Sequence, residues 1–232
     1  MSEINFRGHT IKYSQRDPFW KTVESGKWES YSFDILDKYI EKGKVFLDLG
    51  SWNGVLSIYA HLLGAKVYAI EPDDTAWSEL VENREANKMD FVTSQVAISD
   101  KKGWTNLLSN DFGNSESSLL TGTKRQTTPT DTLEGYVESH KINPEEICLI
   151  KADIEGSELF VIPSSKNFLE KYKPKIYLSM HPLYMSESDM EKISDTIYPI
   201  YKVLNAQASA EIKEGDFVEA MNNNDNHALL LL

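Results

Sequence analysis

The chain carries one cysteine, Cys148, among 232 residues. That excludes a disulfide framework and any cysteine-rich zinc site. It fits a reducing compartment, so a cytoplasmic location is expected. Basic residues are scarce: 24 Lys and Arg against 36 Asp and Glu leave a net charge of −12. Phosphate contacts need clustered Lys and Arg, so nucleic acid is not an expected partner. No apolar run approaches the ~18 residues of a membrane-spanning helix. The longest are short stretches such as 45–49 and 228–232. The opening MSEINFRGHT has no basic stretch followed by an apolar one, so no signal peptide is read.

What is present describes an ordinary globular chain. It is 41% hydrophobic and 26% charged, too apolar for a disordered protein. At ~150 residues per domain the length suits one α/β domain with extensions. Such a chain buries enough surface to fold without a metal or a disulfide. We expect a single domain over 1–232, with an aromatic-rich N-terminal cap at 1–43 and an α/β core at 44–232.

Within 1–43 no clear periodicity appears before 31–40, where Phe33, Leu36 and Ile40 follow helical spacing. Val45-Phe46-Leu47-Asp48-Leu49 then reads as a strand buried on both faces. Val55, Leu56, Ile58, Tyr59 and Leu62 mark a helix stopped by Gly64. A second strand is expected at 66–70, a helix capped by Asp73 and Asp74 through Asn87, and a third strand at 91–98. This alternation implies a parallel sheet with right-handed crossovers. Residues 103–130, dense in Ser, Thr, Asn and Gly, read as hairpins or a mobile loop. A capping box at Asp131–Glu134 and a helix start at Asn143-Pro144 follow. Further strands are expected at 147–150 and 176–180, and a helix at 186–198. Two last strands, 201–204 and 228–232, should be joined by an Asn-rich loop at 222–226, without a helix, and pair antiparallel.

The first strand runs into Asp48-Leu49-Gly50-Ser51-Trp52-Asn53-Gly54. A glycine-bearing turn here lets the backbone approach a ligand. The dinucleotide fingerprint fails, because its second and third glycines fall on Trp52 and Val55. Asp48 would repel a phosphate but could accept from an ammonium group. The second strand ends in Glu71-Pro72, 23 positions after Asp48, where a carboxylate grips a ribose diol. The pair suggests S-adenosylmethionine, with Asp48 near the amino group, Gly50–Gly54 under the ligand and Glu71 on the ribose.

Asp153, Glu155 and Glu158 crowd the end of the fourth strand. Their repulsion needs a cation nearby: the cofactor's sulfonium, Lys151 or a bound metal. His181 ends the fifth strand and should face the same crevice. If the crevice receives a hydroxyl acceptor, a base or a metal must remove its proton, and then His181 or Glu155 is the expected base and Asp153 holds the site. Asp153, Glu155 and His181 also form a candidate ligand set for Mg²⁺ or Mn²⁺. His9, His61, His140 and His227 read as structural or surface residues. The N-terminal aromatics and residues 104–130 should line the acceptor pocket, although Trp20, Trp28 and Phe33 could equally just cover the sheet.

These segments resemble the FkbM-type methyltransferase family of Rossmann-like, S-adenosylmethionine-dependent enzymes. The matching residues are Val45–Gly50 with Gly54, then Ala69-Ile70-Glu71-Pro72, Val96-Ala97-Ile98-Ser99-Asp100, and Lys151-Ala152-Asp153-Ile154-Glu155-Gly156-Ser157-Glu158. The last resembles the pattern Lys-x-Asp-x-Glu-Gly-x-Glu. The resemblance implies a class I fold: a mostly parallel seven-stranded sheet, an antiparallel last strand and helices on both faces. It also implies methyl transfer to hydroxyls of sugars or secondary metabolites, with Val96 and Ala97 lining the adenine pocket. The chain departs from the family's usual Gly-Ala-Asn-x-Gly turn, where Ser51-Trp52-Asn53 stands, and has Ser179 where a Glu is common before the late His. Other acceptors (polyketide, lipid or peptide) and a non-catalytic domain binding the cofactor or a glycan are the alternative readings.

Overall fold

A computed structural model describes residues 1–14, 18–207, 210–223 and 228–232. Its first element is a hairpin of β1 (Ser2–Phe6) and β2 (His9–Tyr13). Arg7 and Gly8 form the two-residue turn, both at positive φ, as the twist of a tight hairpin requires. Helices α1 (Phe19–Glu24) and α2 (Ser30–Tyr39) follow. Then come β3 (Val45–Leu49), α3 (Val55–Leu62), β4 (Lys66–Ile70), α4 (Asp74–Ala86) and β5 (Val92–Ser94). A branch made of β6 (Ala97–Ile98), β7 (Gly103–Ser109) and β8 (Lys124–Asp131) leads into α5 (Leu133–Ser139). The remainder is β9 (Ile147–Ala152), α6 (Glu158–Ser164), α7 (Lys166–Tyr172), β10 (Ile176–Ser179), α8 (Glu187–Ile197), β11 (Val203–Asn205), α9 (Phe217–Asn223) and β12 (Ala228–Leu231).

The main sheet has seven strands in the order β11-β12-β10-β9-β3-β4-β5. β3, β4, β5, β9 and β10 run parallel, while β12 is antiparallel to both β10 and β11. This is the expected α/β sheet with an antiparallel last strand. All five residues of β3 are buried, because both faces of the sheet are covered. Phe46, Leu149 and Tyr177 face a core shared with Phe33, Leu36 and Ile58. Leu47, Ile150 and Leu178 face a second core with Ile162, Ile193 and Ile197.

Several expectations need correction. The N-terminal hairpin, α1, α6 and α7 are additions to the elements that the sequence predicts. The third strand divides: β5 stays in the main sheet, whereas β6 pairs with β8 in a separate three-stranded sheet. The cap of α5 is Thr132, whose hydroxyl accepts from Gly135 N at 2.9 Å, and not Asp131. Asn143 opens a 3₁₀ turn of three residues instead of a longer helix. The last two strands do pair antiparallel, but α9 lies between them and takes in Asn222 and Asn223. The rest of the expected 222–226 loop, and His227, lie outside the described residues. The helix at 187–197 carries the capping box between Ser186 and Asp189.

Candidate active site

The C-terminal ends of the parallel strands open into one cavity of about 430 Å³. Its floor is the turn after β3. Gly50 adopts φ +75, and a Cβ there would lie 1.8 Å from the Asp153 carbonyl oxygen, so only glycine lets β3 and β9 end this close. The Gly50 and Ser51 amides donate to Ile70 O, and Gly54 N donates to Ser51 O at 2.8 Å, closing the turn. Gly54, at φ +88, leaves room for Leu80 of α4. The Ser51 hydroxyl is buried, lines the cavity and has no hydrogen-bond partner among the described residues. An orphaned buried hydroxyl costs stability unless a ligand meets it.

Glu71, at the end of β4, is 6% exposed. Its Oε2 accepts from Trp52 N at 2.8 Å and its Oε1 from Asp73 N at 2.9 Å. Burial pushes its pKa up to about 7, against the pull of those two amides. Asp73 has two tasks. One oxygen caps α4 through Thr75 and Ala76 N; the other accepts from Gly113 N at 2.9 Å and Ser117 Oγ at 2.6 Å. The segment 110–119 is thereby pinned over the cavity, where Trp52 Nε1 also donates to Gly113 O at 3.0 Å. Phe19 packs on both Trp52 and Trp28, with ring centroids 4.7 and 4.8 Å apart.

Register explains the charge at the floor. Asp48 lies opposite Lys151 across β3 and β9. Lys151 Nζ sits 3.3 Å from Asp48 Oδ1 and 3.7 Å from Asp153 Oδ2, and donates to Gly50 O. Burial alone would pull the ammonium's pKa down, but Asp48 and Asp153 raise it, so Lys151 stays charged. Ser57 Oγ donates to Asp48 Oδ2 at 2.6 Å.

On the far side, His181 is enclosed by carboxylates. Its Nδ1 is 3.1 Å from Glu158 Oε1, and its Nε2 is 3.5 Å from Asp153 Oδ1 and 3.4 Å from Glu155 Oε1. Burial by itself lowers the imidazole's pKa. The bonds with Glu155 and Glu158 and the charges of Glu158 and Asp153 outweigh it and raise the value to about 11. Glu158 is fully buried, and its Oε1 also accepts from Ile154 N at 2.9 Å. Glu155 sits at φ +51, with Gly156 at +93. One ligand atom from each of Asp153, Glu155 and His181 falls within 4.8 Å of the others, a geometry that could hold a metal ion.

The structure thus brings Gly50, Ser51, Trp52, Glu71, Pro72, Val96, Ala97, Asp153, Glu155 and His181 to one cavity. Asp48, Asn53 and Gly54 are not among its lining residues; Asp48 is sealed behind the turn by Lys151 and Ser57. Of the N-terminal aromatics, Phe19 and Trp28 line the cavity, while Trp20 and Phe33 are core. Residues 104–130 contribute Leu107, Asn114, Ser115, Ser117 and Leu119. Lys151, expected only as a counter-charge to the acids, lines it as well, as do Glu29 and Ser157, which the sequence did not mark. Lys151 was legible in the Lys-x-Asp pattern, but no sequence signal marked Glu29.

A family model described as the methyltransferase FkbM domain matches residues 44–206. Among curated proteins the chain is similar to a ribosomal protein L11 methyltransferase of Macrococcus caseolyticus, 41% identical over 59 residues. That match covers 25% of this chain and 19% of the relative. The corresponding protein of Aquifex aeolicus is 46% identical over 55 residues, covering 23% and 22%. The chain therefore spans about a fifth of the length of these curated relatives. Among solved structures it is similar to a methyltransferase FkbM from Methylobacillus flagellatus, with TM-score 0.49 and 16% identity over 82% of this chain and 44% of that one.

Proposed function

The chain belongs to the methyltransferase FkbM domain family, and on that premise we propose that it is an S-adenosylmethionine-dependent O-methyltransferase acting on a hydroxyl of a sugar, glycan or related small molecule. The observation that carries this reading is that the cavity is shared. Groups suited to a nucleoside and the acid–imidazole cluster line the same cavity and meet at Asp153. Residues 1–43 act as a cap on the 44–232 core of one domain, a reading supported by Phe19, Trp28 and Glu29 at the cavity.

The residues present fit the cofactor. Glu71 offers a buried carboxylate for a ribose diol, the orphaned Ser51 hydroxyl a partner near the turn, and Val96, Ala97 and Ile98 an apolar slot for adenine. Bound there, the cofactor supplies a methyl group on a sulfonium, which leaves as a neutral thioether. The chain's own residues then balance charge and position the acceptor. Asp153, beside the turn, would balance the sulfonium's positive charge. His181 already carries its proton at neutral pH and is held by Glu158 at Nδ1, so it orients and neutralises the carboxylates. Glu155 would then be the base, its carboxylate taking up the proton of the acceptor hydroxyl. Phe19, Trp28 and Trp52 provide aromatic faces for an uncharged ring.

A divalent cation is a second reading, favoured by the spacing of Asp153, Glu155 and His181. Those three residues would hold it, and it would supply Lewis acidity at the acceptor oxygen. Full turnover in excess chelator removes this reading; loss restored by Mg²⁺ or Mn²⁺ establishes it.

The test is a methyl-transfer screen across sugars, other hydroxyl compounds and peptides, reading S-adenosylhomocysteine release. A sugar acceptor is the expected hit, and Glu155→Gln is expected to lower kcat by about 10²–10⁴-fold. Product only with polyketide, lipid or peptide acceptors replaces the acceptor class. Cofactor binding with no product for any acceptor favours the non-catalytic binding domain.

A further inference from the structure

Glu29 lines the cavity from outside the segment that matches the family model, residues 44–206. It occupies the N-cap of α2 with φ 31 and ψ 51, a left-handed conformation, and makes no side-chain cap bond. Such backbone is unfavourable for a residue with a Cβ. A Ser, Thr, Asp or Asn in extended conformation would cap the helix better. Strain retained together with a forgone cap points to a role for the side chain.

The carboxylate is held in place. Ser32 Oγ donates to Glu29 Oε2 at 2.8 Å, and the same hydroxyl lies 2.8 Å from Tyr177 OH of β10. Burial and the charge of Asp153 push the Glu29 pKa up, and Lys151 draws it down. Glu29, Gly50, Lys151 and Asp153 all line the same cavity. The Lys151 ammonium is already engaged by Asp48, Asp153 and Gly50 O. Asp48 itself, which the sequence suggested for an ammonium group, is closed off from the cavity by Lys151 and Ser57. Of the carboxylates that line the cavity, Glu71 is engaged by two backbone amides, Asp153 by Lys151 and His181, and Glu155 by His181, which leaves Glu29, held through the Ser32 hydroxyl, as the one an entering ammonium group can meet.

We propose that Glu29 grips the α-ammonium of the amino-acid part of S-adenosylmethionine, so that the N-terminal segment supplies a cofactor-binding residue. This rests on the cofactor reading above. The contact is a charge-assisted hydrogen bond, and it distinguishes the amino acid from the nucleoside.

Calorimetric titration of three ligands tests it: S-adenosylhomocysteine, its deamino analogue, and 5′-methylthioadenosine, which lacks the amino-acid part. Wild type is expected to bind S-adenosylhomocysteine about 10- to 100-fold more tightly than the deamino analogue. Glu29→Gln, nearly isosteric, is expected to lose that margin on S-adenosylhomocysteine alone, and Glu29→Asp to recover part of it. Equal losses on all three ligands would mean a structural role and overturn the proposal. Undiminished S-adenosylhomocysteine binding with a lower kcat would move Glu29 to the acceptor side and overturn it too. If wild type binds none of the three, the cofactor reading fails first and this inference with it.

Discussion

Glu71 shows how one residue couples binding to pH. Its carboxyl is raised to about 7 chiefly by burial. An unfolded Glu titrates near 4.5, so the fold is least penalised below that value. The penalty grows as pH rises from about 4.5 to 7 and reaches ~3 kcal/mol above it. A ribose diol held there as proposed would donate to the ionised form and offset part of that cost. Affinity for S-adenosylhomocysteine should therefore rise between pH 6 and about 8, a window in which His181, raised to about 11, does not titrate. Glu71→Gln is expected to bind more weakly and to flatten the profile. A pH profile as steep in the variant as in wild type would remove Glu71 as its source.

At the scale of elements, the N-terminal hairpin decides whether the cap is rigid. Two isolated strands are marginal in water. Here Ile4, Phe6, Ile11 and Tyr13 alternate inward and are buried. Arg7 in the turn pairs with Asp34 at 2.6 Å and with Asp37, tying the hairpin to α2. On the other edge, α4 grips β2: Asn87 exchanges hydrogen bonds with the Lys12 backbone, and Asn83 accepts from Ser14 N. Asn83 Nδ2 also donates to Asn53 O at 2.9 Å, linking the hairpin to the cavity floor. Ile11→Ala should cost ~2–5 kcal/mol, lowering the melting temperature by roughly 2–4 °C per kcal/mol. A thermal melt indistinguishable from wild type would show that the hairpin contributes little to the fold.

Across the whole molecule, the −12 charge acts on whatever approaches the cleft. Part of the excess acid is concentrated there: Glu29, Glu71, Asp153 and Glu155 line the cavity, facing Lys151 and His181. S-adenosylmethionine carries one positive charge more than S-adenosylhomocysteine. Raising salt from about 0.05 to 0.5 M screens long-range attraction, so the affinity of S-adenosylmethionine should fall more steeply than that of S-adenosylhomocysteine. Parallel salt slopes for the two ligands would mean that the cavity does not select for cationic charge. Among the described residues no helix is long and apolar enough to cross a membrane.

Local steric and burial patterns reach only a few residues along the chain, and they sufficed for much of the architecture. Doubly buried apolar runs marked β3, β4, β9 and β10, glycines marked the turn at Gly50, and Ser186 with Asp189 marked the start of α8. The hairpin was not read from the sequence, because each strand offers only two inward apolar residues, Ile4 and Phe6, then Ile11 and Tyr13, too short an alternation to stand out before its packing against α2 and α4 is seen. Tertiary structure decided the electrostatics, because those depend on groups far apart in the chain meeting within a few ångströms in a desolvated setting. Sheet register, not sequence, gave Asp48 to Lys151 and withdrew it from the cavity. Folding brought Glu29 to the cavity, made Asp73 both helix cap and anchor for residues 110–119, and enclosed His181 with carboxylates that keep it protonated. The sequence by itself determined which strands end at the site; which charges survive there was settled only once burial had removed the water between them.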